Sequence, residues 1–234
     1  MATPSEPIPR PKPSARAELR GVGRGLITLP TLARGWSELP RGEGRPVLVL
    51  PGFMTSDRST VVLRAFLSRL GYRAYGWGLG RNHGQVGELL PPVLARLEAL
   101  AERHGQPLGL VGWSLGGVIA RESARAQPGR VARVVTMGTP VVGGPKYTAA
   151  AARYEQRGAD LDALERHVAE RNAVPIPVPI TCIYSKRDAV VSWQACLDPN
   201  PANAVDYVEV DREHAELGFS AEVLRVVAQS LARS

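Results

Sequence analysis

From Pro46 onward the chain alternates short apolar runs with longer stretches of helical periodicity, a rhythm that few architectures can absorb. The runs are Val47 to Leu50, Tyr72 to Gly76, Leu108 to Gly112, Val131 to Met137, Ile180 to Tyr184 and Val205 to Val210. Helical patterns fill the gaps at Thr60 to Leu70, Val86 to Arg103, Leu115 to Gln127 and Phe219 to Leu231. In the last of these, Val223, Val227 and Leu231 recur on one face, with Leu224 and Ala228 beside them. Strands separated by helices must pair through right-handed crossovers, which bury the sheet on both faces. The pattern therefore predicts an α/β domain with a mostly parallel, doubly wound sheet of about six strands.

Two segments fall outside the alternation. Residues 1–45 hold a Pro-rich start, read as a disordered tail to Arg20, and then a short amphipathic lead-in carrying Leu26, Ile27, Leu29, Leu32 and Trp36. The domain proper is expected at 46–234. Within it, Tyr147 to Asn172 shows two helical pieces split near Gly158. That segment is either a small helical cap above the strand ends or a crossover helix on the sheet.

Bulk properties exclude several classes. The balance of 29 Lys plus Arg against 22 Asp plus Glu gives +7, yet the cations are almost all Arg and scattered, without the clustering that a nucleic-acid footprint needs. No run approaches the roughly 18 apolar residues of a membrane span, so no integral membrane segment is expected, and the start lacks the apolar core of a secretory signal. Cytoplasmic residence is the expectation. Cys182 and Cys196 read as buried thiols, although one bridge between them stays open. The four His residues are dispersed and no nucleotide loop is convincing, so neither metal nor cofactor is expected.

The chemistry is carried by Gly112-Trp113-Ser114-Leu115-Gly116-Gly117, placed where the strand from Leu108 ends and a helix begins. A serine on such a turn needs small neighbours, because the strand and helix crowd together there. It also sits at a helix N-terminus, where free N–H groups favour developing negative charge.

With this motif the chain resembles the α/β-hydrolase family, particularly small bacterial esterases and lipases, over roughly Pro46 to Ser234. The resemblance implies a triad in the order serine, acid, histidine. Asp188 follows the strand Ile180 to Tyr184, and His214 follows Val205 to Val210. Asp198, Asp206 and Asp211 are rival acids. Asp206 lies within the last strand, and Asp211 is too near His214 in the chain. The loop after Val131 to Met137, where some members keep the acid, reads Gly138-Thr139-Pro140 and has none. His104 and His167 read as structural.

The resemblance further implies an oxyanion hole from the backbone N–H groups of Leu115 and Phe53, the latter in Leu50-Pro51-Gly52-Phe53-Met54. Members usually carry His-Gly where this chain has Pro51-Gly52. Met54 and Trp113 are expected to contact the acyl group, and His83, on the loop after the second strand, to approach the substrate. The implied activity is hydrolysis of a small-molecule carboxylic ester through an acyl-serine. An acyltransferase, thioesterase or amidase would use the same triad, and a non-catalytic binding protein could keep the same pocket.

Overall fold

A computed structural model describes residues 8–28 and 35–233. Six strands form one sheet: β1 (Pro46–Leu50), β2 (Arg73–Gly76), β3 (Leu108–Trp113), β4 (Val131–Met137), β5 (Ile180–Tyr184) and β6 (Val205–Glu209). Their order is β2-β1-β3-β4-β5-β6 and every pairing is parallel. Each lies within a residue or so of a run expected from sequence, and the central strands are apolar and rich in Val, Ile and Leu, as suits a sheet covered on both sides.

The helices that cover the sheet are α2 (Val61–Arg69), α3 (Val86–His104), α4 (Leu115–Ala126) and α7 (Ala221–Ala232). The period-2 alternation of β1 assigns its side chains to two cores. Val47 and Val49 pack with Leu63 and Leu67 of α2 and with Val223, Leu224 and Val227 of α7. Leu48 and Leu50 face the other way, onto Val93 and Leu97 of α3 and Ile119 of α4. Fully burying each such side chain stabilises the fold by about 1.5–3 kcal/mol. Because the chain runs from β1 out to the β2 edge and back to β3, the strand order reverses at β1 and β3, and a crevice opens beyond their carboxyl ends.

The segment 147–172 contains α5 (Ala151–Gln156) and α6 (Leu161–Asn172), parted by Gly158 in the left-handed region at φ 79°. Asp160 caps α6 by accepting the N–H groups of Asp162 and Ala163. Both helices border the crevice: Tyr154, Leu164, Val168 and Arg171 line it.

The N-terminal segment differs from its expectation. A helix, α1 (Ala15–Thr28), begins inside the stretch read as a disordered tail and runs through much of the lead-in. Its glycines permit this. Gly21 lies against Glu213 and Gly25 against Phe219, so close that a Cβ at either position would collide. Residues 8–14 are also placed against the domain: the Ser192 hydroxyl donates to the Pro9 carbonyl, and Arg10 pairs with Glu155 at 3.1 Å. Leu29 and Leu32 fall outside the described residues. Trp36 packs edge-on against Phe66 of α2, at 5.8 Å between ring centroids.

Candidate active site

Ser114 joins β3 to α4 with φ 54° and ψ −124°, a conformation of the kind that costs about 1–3 kcal/mol and persists only where its surroundings over-determine it. Here they do. The Ser114 N–H donates to the Met137 carbonyl at 2.8 Å, and the Ser114 carbonyl accepts from the Gly117 N–H at 2.9 Å and the Thr139 hydroxyl at 3.0 Å. Side chains at Gly112 or Gly116 would run into backbone atoms of α4 or of Leu50 and Pro51. The turn therefore requires glycine on both sides of the serine.

His214 opens a 3-10 turn, His214–Gly218, beyond β6. Its Nδ1 lies 2.6 Å from Oδ2 of Asp188, and both residues are buried, at 7% and 8% exposure. The other carboxylate oxygen of Asp188 accepts the N–H groups of Val190 and Val191, each at 2.8 Å. With one oxygen fixed by backbone, the other is aimed at the imidazole. Burial disfavours the imidazolium, but the charge and hydrogen bond of Asp188, with Glu18 behind them, outweigh it and hold the His214 pKa above its ordinary 6.5.

The rival acids are committed elsewhere. Asp198 is buried against Arg121 at 2.7 Å, Asp206 pairs with Arg233 at 2.8 Å, and Asp211 lies 3.6 Å from Arg187. The acid-free loop after β4 has a steric reason. A Cβ on Gly138 would stand 2.9 Å from Asp188 Oδ2 and 3.0 Å from His214 Nδ1.

Ser114 and His214 border one cavity of about 550 Å³, together with Phe53, Trp113 and Leu115. The Trp113 ring lies over His214 at 5.9 Å between centroids. The N–H groups of Phe53 and Leu115 donate to no other group among the described residues, so both remain available to an oxygen in the cavity. Met54 does not line the cavity. Its backbone is turned at φ 59° so that its N–H reaches the Asn82 carbonyl at 2.7 Å. His83 is exposed and also absent from the walls, to which this loop contributes Gly84 and Gln85 instead. Neither Met54 nor His83, expected from sequence to meet the substrate, lines this cavity. His104 is structural, 2.9 Å from the Tyr75 hydroxyl, whereas His167, read as structural, sits on the cavity wall.

Two positions of consequence carry no motif. Asn82 is fully buried, and its side-chain amide donates to the Pro51 carbonyl at 2.9 Å. Its N–H donates to the Thr55 carbonyl at 2.8 Å, so one residue braces the loop that presents Phe53. Glu18 of α1 accepts the Ala215 N–H at 2.8 Å through Oε2, beside His214, while Oε1 is buried without a partner. Burial pushes its carboxyl above the usual range, against the pull of that N–H and of His214. Arg24 clamps the same turn through two contacts to the fully buried Glu216, at 3.0 and 2.6 Å. Only the tertiary docking of α1 brings these residues to the site.

Cys182 and Cys196 are free thiols in the interior, and burial pushes the Cys182 thiol up to about 12. Among the described residues no helix is long and apolar enough to cross a membrane.

No family model matches the chain. It aligns with mouse mitochondrial palmitoyl-protein thioesterase ABHD10 at 24% identity over 201 residues, covering 69% of this chain and 67% of that one. The solved mouse alpha/beta hydrolase domain-containing protein 10 superposes with a TM-score of 0.61 at 22% identity, over 83% of this chain and 95% of the other. A structure of the metagenome-derived lipolytic enzymes LipS and LipT gives 0.64 at 18% identity, over 83% and 94%. The thioesterase domain from the curacin biosynthetic pathway gives 0.54 at 15%, over 82% and 93%. These likenesses show that the chain has the α/β-hydrolase fold.

Proposed function

We propose that this protein is a serine hydrolase that cleaves small-molecule carboxylic esters through an acyl-enzyme at Ser114. The observation that carries the reading is the 2.6 Å contact between Asp188 and His214, set on the same cavity as a serine held in a strained turn. A serine hydroxyl is a weak nucleophile until a base takes its proton. In this reading His214 Nε2 accepts that proton as Oγ bonds to the ester carbon, and the carbonyl π electrons move onto oxygen. The resulting oxyanion accepts the N–H groups of Phe53 and Leu115. Collapse breaks the carbon–oxygen bond to the alcohol, which leaves with the proton held on His214. Water then repeats the sequence on the acyl-serine, releasing the acid and returning the proton to Ser114. Asp188 fixes the imidazole tautomer and stabilises its cation throughout.

Short and medium acyl chains are the proposed substrates, rather than long-chain triglycerides, since Phe53 and Trp113 flank the reacting carbon. Thioesters are a second reading, favoured by the names of the mouse and curacin relatives. A compartment that keeps thiols reduced, such as the cytoplasm, suits the two unbridged cysteines.

The test is a panel of nitrophenyl esters and matched thioesters of increasing acyl length, run on wild type and Ser114→Ala. Rates on esters should climb with length and then stop. The variant should lose about a millionfold in kcat, as expected for a triad acting as a unit, and a fluorophosphonate probe should label wild type at Ser114. Unchanged hydrolysis by the variant, or labelling elsewhere, refutes the assignment. A labelling burst without turnover favours a binding protein.

A further inference from the structure

Two helices, α4 and α6, bound the cavity. On α4 the lining positions are Leu115, Val118, Arg121 and Glu122, of which the last three lie four, seven and eight residues beyond Ser114 and so on one face. On α6 they are Leu164, His167, Val168, Arg171 and Asn172. On each helix an arginine follows a wall valine by three residues, Arg121 after Val118 and Arg171 after Val168. Eight residues at about 1.5 Å each place Glu122, and with it the Arg171 guanidinium 3.9 Å away, about 12 Å from Ser114 along α4.

The charged end is not balanced internally. Arg121 is matched by Asp198 at 2.7 Å, with side chains only 4% and 2% exposed. Glu122 is engaged by Arg125, while Arg171 comes no nearer to Glu122 than 3.9 Å. Three guanidinium groups against two carboxylates leave one positive charge. Arg171 is the group left over: its guanidinium makes no hydrogen bond among the described residues, and its Nε is buried without an acceptor. A guanidinium on a cavity wall that makes no hydrogen bond of its own is matched by a planar carboxylate, which it can grip through two parallel bonds.

We propose that Arg171 is a specificity-determining residue that binds the far carboxylate of an ω-carboxyacyl substrate, the half-ester of a medium-chain dicarboxylic acid. The ester carbon is at Ser114, and the apolar stretch between α4 and α6 holds the methylene chain. An extended chain advances about 1.2 Å per bond, the rate at which a peptide backbone spans about 3.5 Å over three bonds. With about 3 Å of that span taken by the hydrogen bond to Arg171, eight bonds cover the rest, which selects acids of roughly nine carbons.

The proposal takes the position of the ester carbon from the hydrolase reading, and a binding measurement separates the two. Monoethyl nonanedioate, ethyl nonanoate, monoethyl hexanedioate and ethyl hexanoate are titrated against Ser114→Ala by calorimetry, with and without Arg171→Leu or Arg171→Gln. With Arg171 present, the nonanedioate half-ester should bind roughly tenfold or more tighter than ethyl nonanoate, as a charge-assisted hydrogen bond allows. The hexanedioate half-ester, too short to reach, should bind no better than its apolar counterpart, ethyl hexanoate. In the Arg171 variants the nonanedioate preference should fall to about one or below. A preference that survives both substitutions, or that appears equally at six carbons, overturns the proposal. Wild-type turnover is measured on the same esters. Failure to hydrolyse any of them overturns the hydrolase reading, while the binding ratios still judge Arg171.

Discussion

Replacing Gly138 by alanine probes the Asp188–His214 pair without touching either residue. Gly138 has φ 54°, where an alanine costs about 1–2 kcal/mol of stability. Its new methyl would stand 2.9 Å from Asp188 Oδ2 and 3.0 Å from His214 Nδ1, against ordinary contacts of 3.4–4 Å. Leu217 Cδ1 at 2.7 Å closes the third side, so the methyl cannot be relieved by moving that way. The pair must therefore give by about half an ångström or more. Misplacing catalytic groups by about 1 Å can cost a hundredfold, so kcat should fall by roughly ten- to a hundredfold. The thermal midpoint should drop by only a few degrees, at about 2–4 °C per kcal/mol for a chain of this size. Nitrophenyl butyrate kinetics beside a melting curve would measure both. A folded Gly138→Ala protein with wild-type kcat would show that this pair does not drive the reaction.

Asp188→Asn should lower kcat by about ten-thousandfold through the wrong imidazole tautomer while the protein stays folded, as kinetics and circular dichroism would show. Activity should rise with pH as His214 loses its proton, with a midpoint above the ordinary 6.5 because its pKa is raised. The stability contributed by the His214 cation runs oppositely: it is complete below the unfolded pKa and is lost as pH climbs through the folded one. Glu18→Gln can still accept the Ala215 N–H but lacks the charge, so the midpoint of its kcat/KM profile should move down, and an unmoved midpoint would remove Glu18 from the electrostatics of the base. Deleting residues 1–28 should lower the thermal midpoint by roughly 5 °C or more and reduce turnover, because Glu216 loses its Arg24 partner while buried, a loss worth about 2 kcal/mol or more even with Arg212 3.5 Å away. A silent deletion would mean that α1 does not hold the His214 turn.

Much of the fold was legible because its signals are local and repeated. A buried parallel strand must be apolar at nearly every position, and Val131–Met137 and Ile180–Tyr184 match the runs expected from sequence residue for residue. The Gly112 to Gly117 motif was legible for a related reason, since backbone crowding at the turn excludes other residues there. Asp188 could be named from sequence only through the resemblance. What distinguishes it from Asp198 is that its Oδ1 is fixed by Val190 and Val191 a few residues on, while Asp198 is drawn to Arg121 on a distant helix.

The misreadings share a cause. Proline-rich composition before Arg20 suggested a chain with nothing to bury, yet α1 gains its stability from partners nearly two hundred residues away, Ala215 and Glu216. No window of local sequence contains that information. Met54 and His83 were placed near the substrate because they sit on strand-end loops, but a loop position does not fix a direction. Asn82 settles it, drawing the Met54 N–H to its own carbonyl and turning its amide inward to Pro51, while His83 is left in solvent. The polar group that organises a loop from within thus governs which of its neighbours can meet a ligand. Arg171 extends the same reasoning to the cavity: along α6 it looks like one more charge on a solvated face, and only because the neighbouring Glu122, 3.9 Å away, is already engaged by Arg125 is its guanidinium left without a hydrogen bond on the wall beyond Val118 and Val168.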